Sequence, residues 1–187
     1  MSLVQVRTRP IFRAGFVAAC VLCIEWARAL VETQPYMVTA ALIVGGAALG
    51  LVAFGSSADR LGLGTSRFGL RIVGGLALGA VLLLPAAARS GSAPLLPAGL
   101  AVAAVAVSIG EEVAFRGALY AALDEVGGAP LAIVGSTVLW TAAHALSHPP
   151  AFLAAVAAAG LLLALWRWAC RDLVAPIIGH VIADLAL

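Results

Sequence analysis

Seven apolar stretches, each close to the length of a membrane-crossing helix, account for most of this chain. They cover residues 11–31, 37–55, 70–88, 94–122, 130–147, 150–169 and 172–187. Crossing the hydrocarbon core of a bilayer takes about 20 apolar residues per helix. Because 63% of the residues are hydrophobic and only 11% are charged, a soluble domain could not cover its surface with polar groups. The pattern predicts an all-α, polytopic membrane protein with about seven transmembrane helices, one membrane domain over residues 1–187, and the lipid bilayer as its surroundings.

The arginines predict the orientation of these helices, because cytoplasmic loops collect basic residues. All eleven basic residues are Arg, and the breaks between stretches include Gln34-Pro35 and the segment 89–94. With the N-terminus inside, eight arginines fall on the cytoplasmic side and two fall outside, while Arg116 lies within a helix and is not counted. The inside set is Arg7, Arg9, Arg13, Arg60, Arg67, Arg71, Arg167 and Arg171, and the outside set is Arg28 and Arg89. We therefore predict a plasma-membrane protein with a cytoplasmic N-terminus.

Composition also bears on source and partners. The absence of Lys together with heavy use of Ala, Gly, Leu and Val is typical of a high-GC bacterial proteome. Outside the loops and the N-terminus there is no basic stripe, which argues against a nucleic-acid partner.

A cluster of six ionisable residues in the fourth, fifth and seventh apolar stretches points to a functional site. They are Glu111, Glu112, Arg116, His144, His180 and Asp184. Each ionisable side chain in a bilayer core costs about 2.5 to 3.5 kcal/mol, so those that remain usually line a cavity, pair with each other or do chemistry. The sequence therefore predicts that the helix bundle encloses an intramembrane polar cavity.

The spacing of the two adjacent glutamates predicts different surroundings for them. Glu112 and Arg116 are four residues apart on one helix face, with the acid N-terminal, which is the favoured order for an ion pair. Glu111 is turned about 100° away, so it faces a different space without that cation. This arrangement separates a structural acid from a candidate general base. His180 and Asp184 share one face in the same way, as do Trp140 and His144.

Simpler interpretations of single residues are also open. Taken alone, Glu112 and Arg116 would be a structural ion pair, and His144 would be a hydrogen bond between helices. His148 stands beside Pro149 in a loop and carries little functional weight. Glu25 and Arg28, one turn apart near the outer end of the first helix, are predicted to be an interfacial pair. The combination of two histidines with an unpaired glutamate on membrane helices favours a functional site.

Three motifs in the second half of the chain resemble one known family. The segment from Glu111 to Arg116 matches an E-E-x-x-x-R motif, Trp140 to His144 resembles F-x-x-x-H, and His180 to Asp184 resembles H-x-x-x-N/D. In this order they are similar to the CPBP family of intramembrane proteases, which includes the type II CAAX prenyl endopeptidases and bacterial homologues. The resemblance covers residues 94–187.

The resemblance implies a helical bundle around a water-accessible cavity and a role for each motif residue. Glu111 and His144 would activate a water molecule, and His180 with position 184 would stabilise the oxyanion. Glu112 and Arg116 would support them.

Two residues depart from the family pattern. Trp140 replaces Phe and is expected to change the shape of the cavity. Asp184 replaces Asn, and because a carboxylate repels an oxyanion, it would have to be protonated or orient His180 instead. The alternative to a metal-free mechanism is zinc held by Glu111, His144 and His180.

Three functions compete for this set of residues. The first is an endopeptidase that cleaves a membrane-associated peptide or protein. The second is a non-catalytic family member that acts as a scaffold or chaperone subunit in a complex with a partner membrane protein. A proton-coupled transporter is disfavoured, because the chain shows no inverted repeat.

Overall fold

The computed structural model describes residues 3–32, 37–64, 66–84 and 96–186, with side chains from residue 9 onward. The breaks at Gln34-Pro35 and 89–94, including Arg89, lie outside the described residues. Helices dominate the described ranges, which contain no strand. The helices are α1 (Leu3–Val31), α2 (Val38–Leu51), α3 (Ala58–Leu61), α4 (Phe68–Leu82), α5 (Ala98–Glu111), a π-helical segment (Glu112–Leu119), α6 (Tyr120–Ala143), a short 3₁₀ turn (His144–Leu146), α7 (Pro150–Cys170) and α8 (Val174–Leu185).

The predicted all-α membrane fold is confirmed. Three helical segments of the described chain are long and apolar enough to cross a membrane, namely Arg9–Val31, Ala98–Leu146 and Pro150–Cys170. Three shorter apolar helices, α2, α4 and α8, pack among them. Large apolar side chains such as Phe12, Phe16 and Val44 point outward, as expected for a protein whose surface faces lipid. The chain is a multi-pass membrane protein.

A glycine pair divides the longest segment into two antiparallel parts. Gly127 and Gly128 leave helical geometry inside α6, and Gly128 has a φ of 72°, which a residue with a Cβ rarely adopts. Pro130 follows in the first turn of the second part, where its missing N–H removes no hydrogen bond. The part of the apolar stretch 94–122 from residue 98 onward and the stretch 130–147 therefore fold as separate helical arms, as their sequence spacing predicts.

The first of these arms changes its winding where the acidic motif begins. Glu112 and Arg116 both lie in the π-helical segment that continues α5. Wider π turns inside an α-helix are often found at functional sites, and they shift the hydrogen-bond pattern of the backbone. The Arg116 carbonyl accepts a hydrogen bond of 3.2 Å from Arg167 Nε, so α7 supports this segment from behind.

Glycines bring α2 and α5 into backbone contact next to the acidic motif. A Cβ on Gly110 would lie 2.1 Å from the Gly46 carbonyl oxygen, and a Cβ on Gly46 would lie 2.5 Å from the Ala106 oxygen. Such close crossings are how membrane helices associate where no hydrophobic driving force acts between them. The crossing fixes the position of Glu111, the residue after Gly110.

The arginine-rich breaks meet at one end of the bundle. Arg13 of α1 lies 3.7 Å from Glu125, which also pairs with Arg60 from the second break. Arg71 lies 3.5 Å from Asp172, and that carboxylate accepts hydrogen bonds from the first backbone N–H groups of α8. Three breaks and α1 are thus represented at the end that the arginine distribution predicts to be cytoplasmic.

Candidate active site

A cavity of about 490 Å³ lies between the helices, and five of the predicted site residues line it. These are Glu111, Trp140, His144, His180 and Asp184. Glu112 and Arg116 are not part of the lining and lie fully buried behind it. Most of the remaining wall is apolar and comes from α4, α5 and α7. Three sequence motifs that are far apart in the chain therefore meet at one polar wall of a largely apolar space.

Each oxygen of the Glu111 carboxylate faces its own donor. The indole Nε1–H of Trp140 donates to Oε2 over 2.8 Å, and Arg28 Nη2 donates to Oε1 over 3.4 Å. The side chain is buried, yet it lines the cavity. The expectation that Glu111 stands without a cation is wrong, because Arg28 of α1 reaches it.

His144 presents a defined nitrogen to this carboxylate. Its Nδ1 lies 2.9 Å from the backbone carbonyl of Trp140, and since a carbonyl can only accept, Nδ1 carries the hydrogen. In the neutral ring Nε2 is then an acceptor, and it lies 3.8 Å from Glu111 Oε2. The 3₁₀ turn that begins at His144 ends the helix at this point and leaves the ring at the cavity wall.

The second glutamate organises the opposite side of the site. Glu112 Oε1 accepts from Arg116 Nη1 and from His180 Nδ1, both over 2.9 Å. The guanidinium of Arg116 also lies 4.1 Å from the centre of the Trp140 ring, a cation–π contact. Within the described part of the chain, Arg116 Nε and Nη2 have no hydrogen-bond partner, so its charge is compensated mainly by Glu112 and the indole.

Asp184 connects His180 to α5. His180 Nε2 lies 3.5 Å from Asp184 Oδ2. The same oxygen lies 2.7 Å from Ser108 Oγ, which is also 2.7 Å from the Ala104 carbonyl. Because a serine hydroxyl has a single hydrogen, it can donate to only one of these two oxygens at a time.

Trp140 has a role that its sequence position alone did not indicate. Beyond changing the cavity shape, its indole N–H is a hydrogen-bond donor to Glu111 that a phenylalanine would lack. Its ring also meets His144 and His180 edge-on, with centroid distances of 4.8 and 5.6 Å. Gly160 of α7 leaves room for it, since a Cβ there would lie 2.7 Å from the indole.

Sequence reasoning missed the contribution of α1 to the site. Glu25 is fully buried and Arg28 nearly so, and Arg28 bonds to Glu25, Glu32 and Glu111. The predicted pairing of Glu25 with Arg28 is confirmed, but the expectation that the pair lies apart from the site is wrong, because the pair is buried and reaches Glu111. The signal was present in the spacing: positions 25, 28 and 32 share one helix face, and three ionisable residues there are unusual in a membrane segment.

His148 also lies nearer to the site than predicted. It lines the same cavity, its ring centroid is 5.3 Å from that of His144, and it stacks on Phe152 at 4.8 Å. Burial, reinforced by His144, lowers the pKa of His148 below its usual range.

The proposed zinc ligands do not form a ligand set. Within the described residues, no group of three His, Cys, Asp or Glu side chains is arranged to hold a metal ion. His180 directs Nδ1 to Glu112, and Glu111 Oε2 already accepts from Trp140. The arrangement of these three residues therefore does not fit a zinc ion.

Fold and site together define a multi-pass helical membrane protein with a buried acid–histidine centre. Residues 93–186 match the family model described as type II CAAX prenyl endopeptidase Rce1-like, which is just over half of the chain. The chain belongs to this family of endopeptidases, as its three motifs indicate. No curated protein and no solved structure matched the chain in the corresponding comparisons. All the motif residues lie in the matched segment, whereas Arg28 lies outside it.

Proposed function

We propose that this chain is an intramembrane endopeptidase in which Glu111 and His144 activate a water molecule. The observation that carries the proposal is the placement of Glu111 Oε2 and His144 Nε2 3.8 Å apart on the wall of one cavity. Two proton acceptors at that separation can hold one water molecule between them, and a general base must lie within hydrogen-bond reach of the proton it removes. The family match supports peptide hydrolysis as the reaction.

The proposed reaction follows from the hydrogen bonds of the two bases. Water loses a proton to Glu111 or His144 as its oxygen attacks the scissile carbonyl carbon. Because His144 Nδ1–H is held by the Trp140 carbonyl, the proton is taken up and released at Nε2. The same proton is then donated to the leaving amine, so that the C–N bond breaks and both groups return to their starting state.

Stabilisation of the oxyanion falls to the His180 side of the cavity. Glu112 holds Nδ1–H, and a doubly protonated ring would present Nε2–H to the developing negative charge. Asp184 near Nε2 orients that nitrogen rather than contacting the oxyanion, because a carboxylate would repel it.

The surroundings of the cavity favour a membrane-associated peptide or protein as substrate. Apolar side chains of α4 and α7, including Leu82, Phe152 and Leu162, form most of its wall and suit an apolar segment of a substrate chain. We place the protein in a bacterial plasma membrane with its N-terminus in the cytoplasm, following the arginine distribution.

Glu111→Gln tests the proposal. Gln keeps the size of the side chain and loses the base, so cleavage should fall by two or more orders of magnitude while folding is retained. The purified parent and variant would each be incubated in liposomes with membrane proteins extracted from an expression host. Mass spectrometry of newly formed N-termini should detect products that the parent makes and Glu111→Gln does not.

A matched variant and a binding measurement make the result decisive. Gly50→Ala lies in α2, where an added Cβ meets no atom within 4 Å, and it should cleave like the parent. Equal product formation by Glu111→Gln would contradict the catalytic role. The scaffold function would be favoured if the parent forms no product and if the parent and Glu111→Gln both retain the same membrane-protein partner.

A further inference from the structure

Two acidic residues close to Arg28 in sequence hold its side chain in place beside the active site. Its Nε donates to Glu25 Oε2 over 3.2 Å, and Nη2 contacts the same oxygen at short range. Nη1 donates to Glu32 Oε1 over 2.6 Å. Because Glu25 lies on α1 and Glu32 directly follows its last residue, three and four positions from Arg28, the two acids hold the guanidinium in one orientation. Nη2 of the guanidinium held in this way also faces Glu111.

Arg28 and Trp140 together determine how the Glu111 carboxylate is oriented. Arg28 Nη2 faces Oε1 at 3.4 Å, and Trp140 Nε1 donates to Oε2 at 2.8 Å. With one donor on each oxygen, rotation of the carboxylate about its last bond is restricted. Oε2 is thereby kept on the side of His144 Nε2, which lies 3.8 Å away.

A glycine of α2 makes this reach possible. A Cβ on Gly45 would lie 2.7 Å from Cδ of Arg28 and 3.3 Å from its Cγ, so the stem of the arginine fills the space that the glycine leaves. Arg28 itself is nearly buried, with 8% of its side chain exposed, and it lines the cavity. The contact between Arg28 and the site therefore depends on α1 and α2, and both helices lie outside the family-matched segment.

We propose that Arg28 is a positioning residue for Glu111. Glu25 and Glu32 orient its guanidinium, and the missing side chain of Gly45 leaves room for its stem. The inference rests on the proposed proteolytic function, and it extends the active site to the N-terminal half of the chain. A purely structural arginine would serve only to neutralise the buried Glu25. A positioning arginine must also affect the geometry at Glu111, and the two roles can be separated experimentally.

The indole signal of Trp140 reports that geometry without any cleavage assay. The chain has four Trp, so protein labelled with ¹⁵N at the indoles gives four N–H resonances in detergent micelles, and Trp140→Phe assigns the relevant one. Arg28→Gln should displace the Trp140 resonance. The indole N–H donates to Glu111, and the Glu111 carboxylate would lose the hydrogen bond from Arg28. Trp166 and Trp168 of α7 should keep their signals and act as internal controls.

Cleavage by the same variants provides the second measurement. Arg28→Gln should lower kcat about 100-fold with a small effect on KM, as expected when a reacting group is displaced by about 1 Å. Arg28→Lys keeps the charge without the guanidinium fork and should recover part of the rate. Gly45→Ala should act in the same direction as Arg28→Gln, whereas Gly50→Ala should leave both the resonance and the rate unchanged.

The double variant Glu25→Gln with Arg28→Gln separates the two roles. If Arg28 only neutralises Glu25, the double variant should restore the Trp140 resonance and the cleavage rate, which would overturn the proposal. If Arg28 positions Glu111, folded yield recovers while the resonance stays displaced. If Arg28→Gln fails to fold, the Trp140 resonance and the cleavage rate are compared between Gly45→Ala and Gly50→Ala instead. A parent that cleaves nothing would refute the proposed function, while the resonances would still decide whether Arg28 positions Glu111.

Discussion

At the scale of residues, the site is organised around the indole of Trp140. It donates to Glu111, lies under the guanidinium of Arg116 and meets His144 and His180 edge-on. The motif spacing predicts which of these residues are important, because ionisable groups in apolar helices are costly. The contacts of the indole could not be predicted, since they depend on how three helices from separate parts of the chain pack.

Arg116→Ala should strongly destabilise the protein. Arg116 and Glu112 are both fully buried, and removing the cation leaves a buried carboxylate whose main partner is gone. Loss of one partner of a buried ion pair typically costs about 3 to 5 kcal/mol. Folded yield and thermal melting in detergent should both fall, whereas Arg9→Ala, at an exposed position of α1, should behave like the parent. An Arg116→Ala protein that melts with the parent would show that the pair contributes nothing to stability.

Asp184→Asn should be tolerated, with a cleavage rate equal to or higher than that of the parent. An amide NH₂ at this position can donate to Ser108 Oγ, leaving the hydroxyl hydrogen for the Ala104 carbonyl, so both 2.7 Å contacts are satisfied. The amide also removes a negative charge from the oxyanion side of the cavity. We expect a melting midpoint within a few degrees of the parent and a cleavage rate equal or higher. A rate more than about 10-fold lower, with folding intact, would show that the Asp184 carboxylate itself is required.

At the scale of elements, the acidic motif is held by helix crossings and by an unusual helical segment. The apolar stretches predict the helices because membrane spans must satisfy their own backbone. They do not predict the π-helical segment Glu112–Leu119, whose register depends on supports such as Arg167 from α7. The role of α1 was missed for a related reason. The spacing of Glu25, Arg28 and Glu32 shows that α1 has a polar face, but it does not show which neighbouring helix that face meets.

Gly110→Ala should loosen the crossing of α2 and α5. Its Cβ would lie 2.1 Å from the Gly46 carbonyl oxygen, which is backbone and cannot move aside without shifting a helix. Overpacking of this kind costs about 1 to 3 kcal/mol. The melting midpoint should drop, and because Glu111 is the next residue, cleavage should fall as well. Gly50→Ala in the same helix pair is the control, and equal melting of the two variants would show that the crossing tolerates a methyl group.

At the scale of the whole molecule, the bundle has two unlike ends. Arg13, Arg60 and Glu125 meet at one end, while the cavity extends to Glu32 and His148 at the other. Sequence reasoning predicted the class of fold and the family correctly, because composition and motif order depend little on packing detail. It did not predict that the cavity reaches the end opposite the arginine-rich breaks, since that depends on how deeply each motif sits in the assembled bundle.

Cysteine labelling of the two ends should place them on opposite sides of the membrane. In a background without Cys20, Cys23 and Cys170, an impermeant maleimide should label Ser66→Cys only from the cytoplasmic side and Ser147→Cys only from the outside. The reason is that the arginine distribution predicts a cytoplasmic position for the arginine-rich end, while an odd number of predicted spans separates the two positions. Labelling of both from one side would contradict the span count. Reversed labelling would keep the fold but place the His148 end of the cavity in the cytoplasm, so that a substrate would enter from there. With the expected labelling, a substrate reaches Glu111 from the bilayer or from the non-cytoplasmic face.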